Sequence, residues 1–153
     1  MLKILKSKSG VSLMEILVAA MMFSILTFAV VMVINPLMMA QVRANSLAEK
    51  NTILDSVGNL LTTELSGATE ILEFGVDELE FSTAQGDVIF TISSGHLLRN
   101  GALVFPEYFY RGKTLSFVVE ENASGYGYFY LVIVTVYPNE ISRSYAVRPM
   151  ILG

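Results

Sequence analysis

Two positions near the start of the chain are spaced to do chemistry together. Gly10 closes a short basic stretch holding Lys3, Lys6 and Lys8, and Glu15 is the single acid at the entrance of a long apolar run. Residues 16–42 carry no formal charge, and residues 16–34 are apolar except for Ser24 and Thr27. A charge at the centre of a membrane-spanning helix costs about 2.5–3.5 kcal/mol on insertion scales, while each Leu, Ile, Phe or Val returns only about 0.3–0.6. Glu15 lies near the end of the run, so its cost is smaller, yet a carboxylate there still needs a cation. The run supplies none. The candidates are Lys8, or the ammonium that a cut after Gly10 would expose on Val11, four residues before Glu15. That cation belongs either to the same chain or to a neighbouring copy. Each residue also has a plainer reading. Gly10 serves as a hinge, and Ser12 with Glu15 three residues later makes a capping box for the helix that follows.

Other chemistry finds little footing. The sole histidine, His96, stands beside the turn residue Gly95, which suits a surface or sheet-edge role better than general-base work. There are no cysteines, so a disulfide framework and a thiolate metal site are both excluded. No phosphate-binding glycine loop, metal-spaced ligand set or nucleophile elbow is present, and no cofactor is implied. Glu73, Asp77, Glu78 and Glu80 form an acidic cluster, but strand alternation is expected to send neighbours to opposite faces rather than gather them on a cation. Asn122-Ala123-Ser124 matches a glycosylation sequon, which matters only in a host that uses it.

The elements that must position these residues follow from periodicity. At ~1.5 Å per residue, about 20 helical residues cross a hydrocarbon core of roughly 30 Å, and residues 16–34 supply such a stretch. Asn35-Pro36 then predicts a kink, because proline removes a helical hydrogen bond and crowds the preceding turn. Beyond it, Ile53, Leu54, Val57, Leu60, Leu61, Leu65 and Ala68 recur every three or four residues, the stripe of a helix packed on a sheet. Glu49, Lys50, Asp55 and Glu64 are expected to face water or neighbours, and Gly67 to stop the helix. From Glu70 the pattern becomes alternating. Strands are expected around Ile71 to Phe74, Leu79 and Phe81, Val88 to Ile92, His96 to Arg99, Thr114 to Glu121, residues 127–137, and Ile141 to Val147. The strand 127–137 is apolar on both faces, so it should lie centrally, covered by the helix on one side and by loops or a partner on the other. The aromatic run Phe105 to Tyr110 should close one end of the core.

In order, a basic leader, Gly10, Val11, Ser12, Leu13, Met14, Glu15 and an apolar helix resemble the cleavage and methylation segment of type IV prepilins and pseudopilins. The family usually has Phe where Val11 stands and often Ile or Val where Met14 stands; both residues here keep the apolar character. The resemblance implies cutting by a prepilin peptidase after Gly10, methylation of the new amine on Val11, and a filament-assembly role for Glu15. It also implies partners: other pilin or pseudopilin subunits, a membrane platform protein, an assembly ATPase, and membrane lipid before assembly. For Pro36 it implies a helix break that lets a filament bend. The segment from Gly95 to Arg99, Phe105-Pro106 and the closing hairpin resemble a minor subunit more than a major one. A secretory signal peptide fits less well, since its apolar region is only about 7–15 residues and is cut at its far end.

Charge completes the expectation. The net charge is −4, and without the leader's three lysines it falls to −7, which disfavours direct nucleic-acid binding apart from a local patch of Arg99, Arg111 and Lys113. The positive-inside rule puts the leader in the cytoplasm and the C-terminal part outside. The expected fold is α+β, a long N-terminal helix packed on one antiparallel sheet of four to seven strands. Its parts are a leader at 1–10, a transmembrane or filament-core helix at 11–36, an amphipathic helix at 37–68 and a β domain at 69–153. The competing expectation is a permanent single-pass anchor for an external binding or sensing domain, with its leader intact. Pili, secretion pseudopili and DNA-uptake pili are not separated by the sequence.

Overall fold

The computed structural model describes residues 12–125 and 127–150. Gly10 and Val11 lie outside the described residues. One helix, α1, spans Leu13–Ser66. Its start has a local cause: the Ser12 hydroxyl accepts a hydrogen bond from the Met14 amide at 3.2 Å, and the Ser12 carbonyl accepts those of Glu15 and Ile16. Its end also does. Gly67 and Ala68 donate to the carbonyls of Glu64 and Leu65, tightening the last turn before the first strand.

The chain divides into two compact units, Met1–Asn45 and Ser46–Gly153. In the first, every described residue is exposed, and the helix runs through Pro36, whose ring nitrogen cannot donate to the turn before it. In the second, residues 46–66 of α1 bury Ile53, Leu54, Val57, Leu61 and Leu65 in a single apolar core.

Two antiparallel sheets face that helix where the sequence suggests one. The first is a meander of β1 (Glu70–Phe74), β2 (Glu78–Thr83), β3 (Gly86–Ser93), β4 (His96–Arg99) and β5 (Ala102–Leu103), in that order. The second is β6 (Thr114–Ser124), β7 (Gly127–Tyr137) and β8 (Ile141–Val147), with β7 central. The ladder breaks after β5 because the chain enters a one-turn helix, α2 (Glu107–Tyr110), and leaves it through Arg111 and Gly112, both at positive φ. Tyr110 is buried beneath this turn, and its hydroxyl accepts the Leu97 amide at 3.0 Å. Burial raises the Tyr110 hydroxyl's pKa above the ordinary range, keeping it neutral.

A seam joins the sheets, and Asp77 makes it. With φ at 58°, Asp77 turns the chain between β1 and β2 so that its amide donates to the Phe117 carbonyl at 2.8 Å and its carboxylate accepts the Phe117 amide at 2.8 Å. Val119 donates to Gly75 and Leu115 to Gly95, extending the seam along the outer edge of β6. Asp77→Ala removes the acceptor for an amide in the middle of the core strand and places alanine in a left-handed conformation. It is expected to destabilise the domain by about 1–3 kcal/mol, with Asp77→Asn milder, in chemical denaturation of the full chain. Equal stability of Asp77→Ala and the parent would contradict this role for the seam.

The face that the helix presents to the sheets differs from expectation at Lys50. Instead of meeting water, Lys50 is only 4% exposed, and its ammonium donates to the carbonyls of Pro138 and Asn139 in the β7–β8 turn. Two backbone acceptors explain how a cation tolerates that burial. The three acids reach basic residues of the β domain: Glu49 bonds Lys113 at 2.5 Å and Arg111 at 3.1 Å, Glu64 bonds Arg99 at 3.1 Å, and Asp55 pairs with Arg143. The Lys113 hydrogen bond holds the Glu49 carboxyl below the ordinary glutamate range against the opposing effect of desolvation, and the charges of Lys113 and Arg111 add to it. Because the folded value lies below the unfolded one, the stabilisation is present above the ordinary glutamate pKa and is lost as pH falls through the depressed value. Glu49→Gln should therefore lower the melting temperature at neutral pH, with parent and variant converging as pH falls through the depressed value in a pH-resolved thermal melt. A difference that persists undiminished in acid would count against this ion pair.

Candidate functional site

The bare stretch of α1 is the candidate site, and its side chains present one continuous apolar surface. Met14, Ile16, Leu17, Met21, Phe23, Leu26, Phe28 and Ile34 are among its exposed large residues. It is the one helix among the described residues long and apolar enough to cross a membrane. The two hydroxyls in the run satisfy themselves, Ser24 donating to the Ala20 carbonyl and Thr27 to that of Phe23, each at 2.8 Å. Neither therefore needs a partner in an apolar surrounding.

Glu15 differs. It occupies the first turn of α1, where the exposed amides favour a negative charge. Ser12 spends its hydroxyl on Met14 rather than on the Glu15 amide, and among the described residues the Glu15 carboxylate takes no hydrogen bond or ion pair. The reciprocal capping box is thus absent, and the first turn leaves this carboxylate open to a cation from elsewhere. Of the positions singled out by the sequence, Glu15 and Pro36 lie on one helix of the first unit, while Gly10 and Val11 lie outside the described residues.

The remaining sequence candidates are drawn into structure. Arg99, Arg111 and Lys113, the possible basic patch, are each engaged by an acid of α1. His96 packs its ring on Tyr110 with centroids 4.5 Å apart. In the acidic cluster, alternation does not separate the residues as expected. Glu78 and Glu80 are two apart on β2, and Glu73 pairs across from Glu80, so these three share the outer face while Asp77 leaves for the seam. No group of three or more potential ligands could hold a metal ion among the described residues. A groove of about 450 Å³ lies between the end of α1 and the β2–β3 hairpin, but its acids are already engaged, Glu64 by Arg99 and Asp87 by Ser82 at 2.6 Å.

Comparison with known proteins returns no match. No family model, curated protein or solved structure is similar enough to the chain to be matched to it. The functional reading therefore rests on the residues themselves.

Proposed function

We propose that this chain is a structural subunit, of the minor pilin or pseudopilin kind, of a type IV pilus-like filament. The observation that carries the reading is Glu15: a carboxylate in the first turn of α1, at the start of an apolar stretch exposed throughout residues 13–45, with no partner among the described residues. A helix that only anchors a domain gains from a carboxylate in its first turn only the modest interaction with the exposed amides, which leaves the open side of the carboxylate without a use. A helix that passes from lipid into a bundle of its own kind gains a register device, since an acid and an amine in an apolar surrounding pair in few arrangements.

On this reading a prepilin peptidase cuts after Gly10, and Val11 carries the new, methylated amine. The positive leader holds the N-terminus in the cytoplasm until then, with the β domain on the far side of the membrane. A platform protein and an assembly ATPase then draw the subunit from lipid into the filament, where apolar surface is exchanged for apolar surface. Pro36, in the last third of the bare helix, supplies a point of weakness where the helix yields during packing.

Shearing intact cells and separating filaments from membranes tests the reading. The chain is expected in the sheared fraction together with other subunits of the same filament. A chain found only in the membrane, in cells that do shed filaments, would favour the permanent anchor.

A further inference from the structure

The chain holds one Asn-Gly pair, Asn100-Gly101, and its first role is structural. Two residues separate β4 from β5, and both stand at positive φ, 50° at Asn100 and 79° at Gly101. That is the backbone a tight two-residue hairpin requires, and Asn-Gly adopts it more easily than almost any other pair. The same pair is chemically reactive. Glycine has no Cβ to shield its nitrogen, so the Gly101 amide is the least hindered neighbour that an asparagine carboxamide can meet.

The fold ties that carboxamide to a neighbouring strand. Asn100 follows the Phe90–Arg99 pair of the β3–β4 ladder; its backbone amide donates to the Ile89 carbonyl at 2.8 Å, and its Oδ1 accepts the Ile89 amide at 2.8 Å. The side chain thus closes a rung that the backbone, already turning, leaves open. Nδ2 donates to the Asp87 carbonyl at 3.5 Å, so both ends of the carboxamide reach β3. Asn100 and Gly101 are themselves exposed, which places the restraint in these hydrogen bonds rather than in burial.

We propose that Asn100-Gly101 is a self-modification site gated by the end of the β3–β4 ladder. With the rung closed, Cγ is tied to β3 and is not free to rotate onto the Gly101 nitrogen. With the rung open, that nitrogen attacks Cγ: the N–Cγ bond forms, the Cγ–Nδ2 bond breaks, and Nδ2 leaves as ammonia carrying the Gly101 amide proton. Water then opens the cyclic imide, giving its hydroxyl to one carbonyl carbon and its proton to the nitrogen. Cleavage at Cγ yields aspartate, and cleavage at the backbone carbonyl carbon of Asn100 yields isoaspartate; neither step is a redox step. Isoaspartate inserts a methylene into the chain between β4 and β5, which displaces the Arg99–Ala102 pairing. Either product also replaces a neutral group in the lining of the groove beside the β2–β3 hairpin with a carboxylate. Because lost ammonia does not return, the site marks chains whose sheet edge has opened. This inference does not depend on the filament reading.

Mass spectrometry of the full chain in detergent, incubated at mildly alkaline pH, tests it, with replacement of the amide by a carboxyl group at position 100 as the readout. Conversion in the folded chain should be about tenfold or more slower than in the same chain unfolded in guanidinium chloride. Equal rates in the two states overturn the proposal, as does an unfolded chain that converts at other asparagines and not at Asn100. The gate has its own readout in the exchange of the Ile89 amide hydrogen for deuterium, since the same opening releases that amide. In denaturant below the unfolding transition, Ile89 exchange and Asn100 conversion should quicken together. Conversion that holds constant while Ile89 exchange quickens overturns the gate.

Discussion

Glu15→Ala should yield a protein that is folded, inserted and cleaved but missing from filaments. The substitution removes the only acid of the bare helix and lies outside the compact unit that begins at Ser46, so the melting transition of the β domain should not move. The consequence in a bundle is different. Removing one member of an ion pair in apolar surroundings strands the other, a penalty of about 3–5 kcal/mol, which corresponds to a loss of incorporation on the order of 100-fold or more. Glu15→Asp keeps the charge on a shorter side chain and should fall between. Quantifying the chain in filament and membrane fractions by immunoblot, beside a thermal melt of the purified variants, separates assembly from folding. Normal incorporation of Glu15→Ala would contradict the assembly role.

Gly58→Ala is the substitution expected to damage the β domain most through a single methyl group. Gly58 lies on the buried side of α1, and a Cβ there would collide with the ring of Tyr145. That ring cannot simply swing away. Its hydroxyl donates to the Leu54 carbonyl at 2.8 Å, so retreat breaks the hydrogen bond and opens the contact between β8 and the helix. Overpacking of this kind costs about 1–3 kcal/mol, and each kcal/mol lowers the melting temperature of a domain this size by roughly 4–8 °C. Tyr145→Ala alone loses the same contact and should also destabilise. Combined with Gly58→Ala it should cost less than the sum of the two, because the collision is gone. Additive losses in that double-mutant cycle would show that the close approach is not what constrains position 58.

Much of the fold was legible because its signals are local. The stripe from Ile53 to Leu65 is the buried stripe of α1, and the run of alternating segments from Glu70 gave strands in the right places, with β7 at the centre of its sheet. Three features were not legible, and each depends on contacts distant in sequence. The split into two sheets depends on a turn after α2 and on Asp77 reaching Phe117, forty positions along the chain. Lys50 reads as a solvent-facing charge until the β7–β8 turn supplies its carbonyls. The outer face of β7 reads as covered, yet Phe129, Leu131 and Ile133 are only half-buried, and Tyr137 is exposed. Gly58 did leave a sequence trace. A glycine within the apolar stripe of a long helix, costly by propensity alone, marks a place where another part of the chain comes close. The candidate site is the reverse case: its spacing around Glu15 is written entirely in sequence, and the described structure adds that the carboxylate is open rather than spent on its own helix cap.

The most direct measurement is the intact mass and N-terminal peptide of the chain recovered from its own host's membranes. The account predicts a mature chain beginning at Val11 with one added methyl group. A chain still carrying residues 1–10, in cells whose prepilin peptidase processes its other substrates, would contradict the account and make this protein a permanently anchored domain.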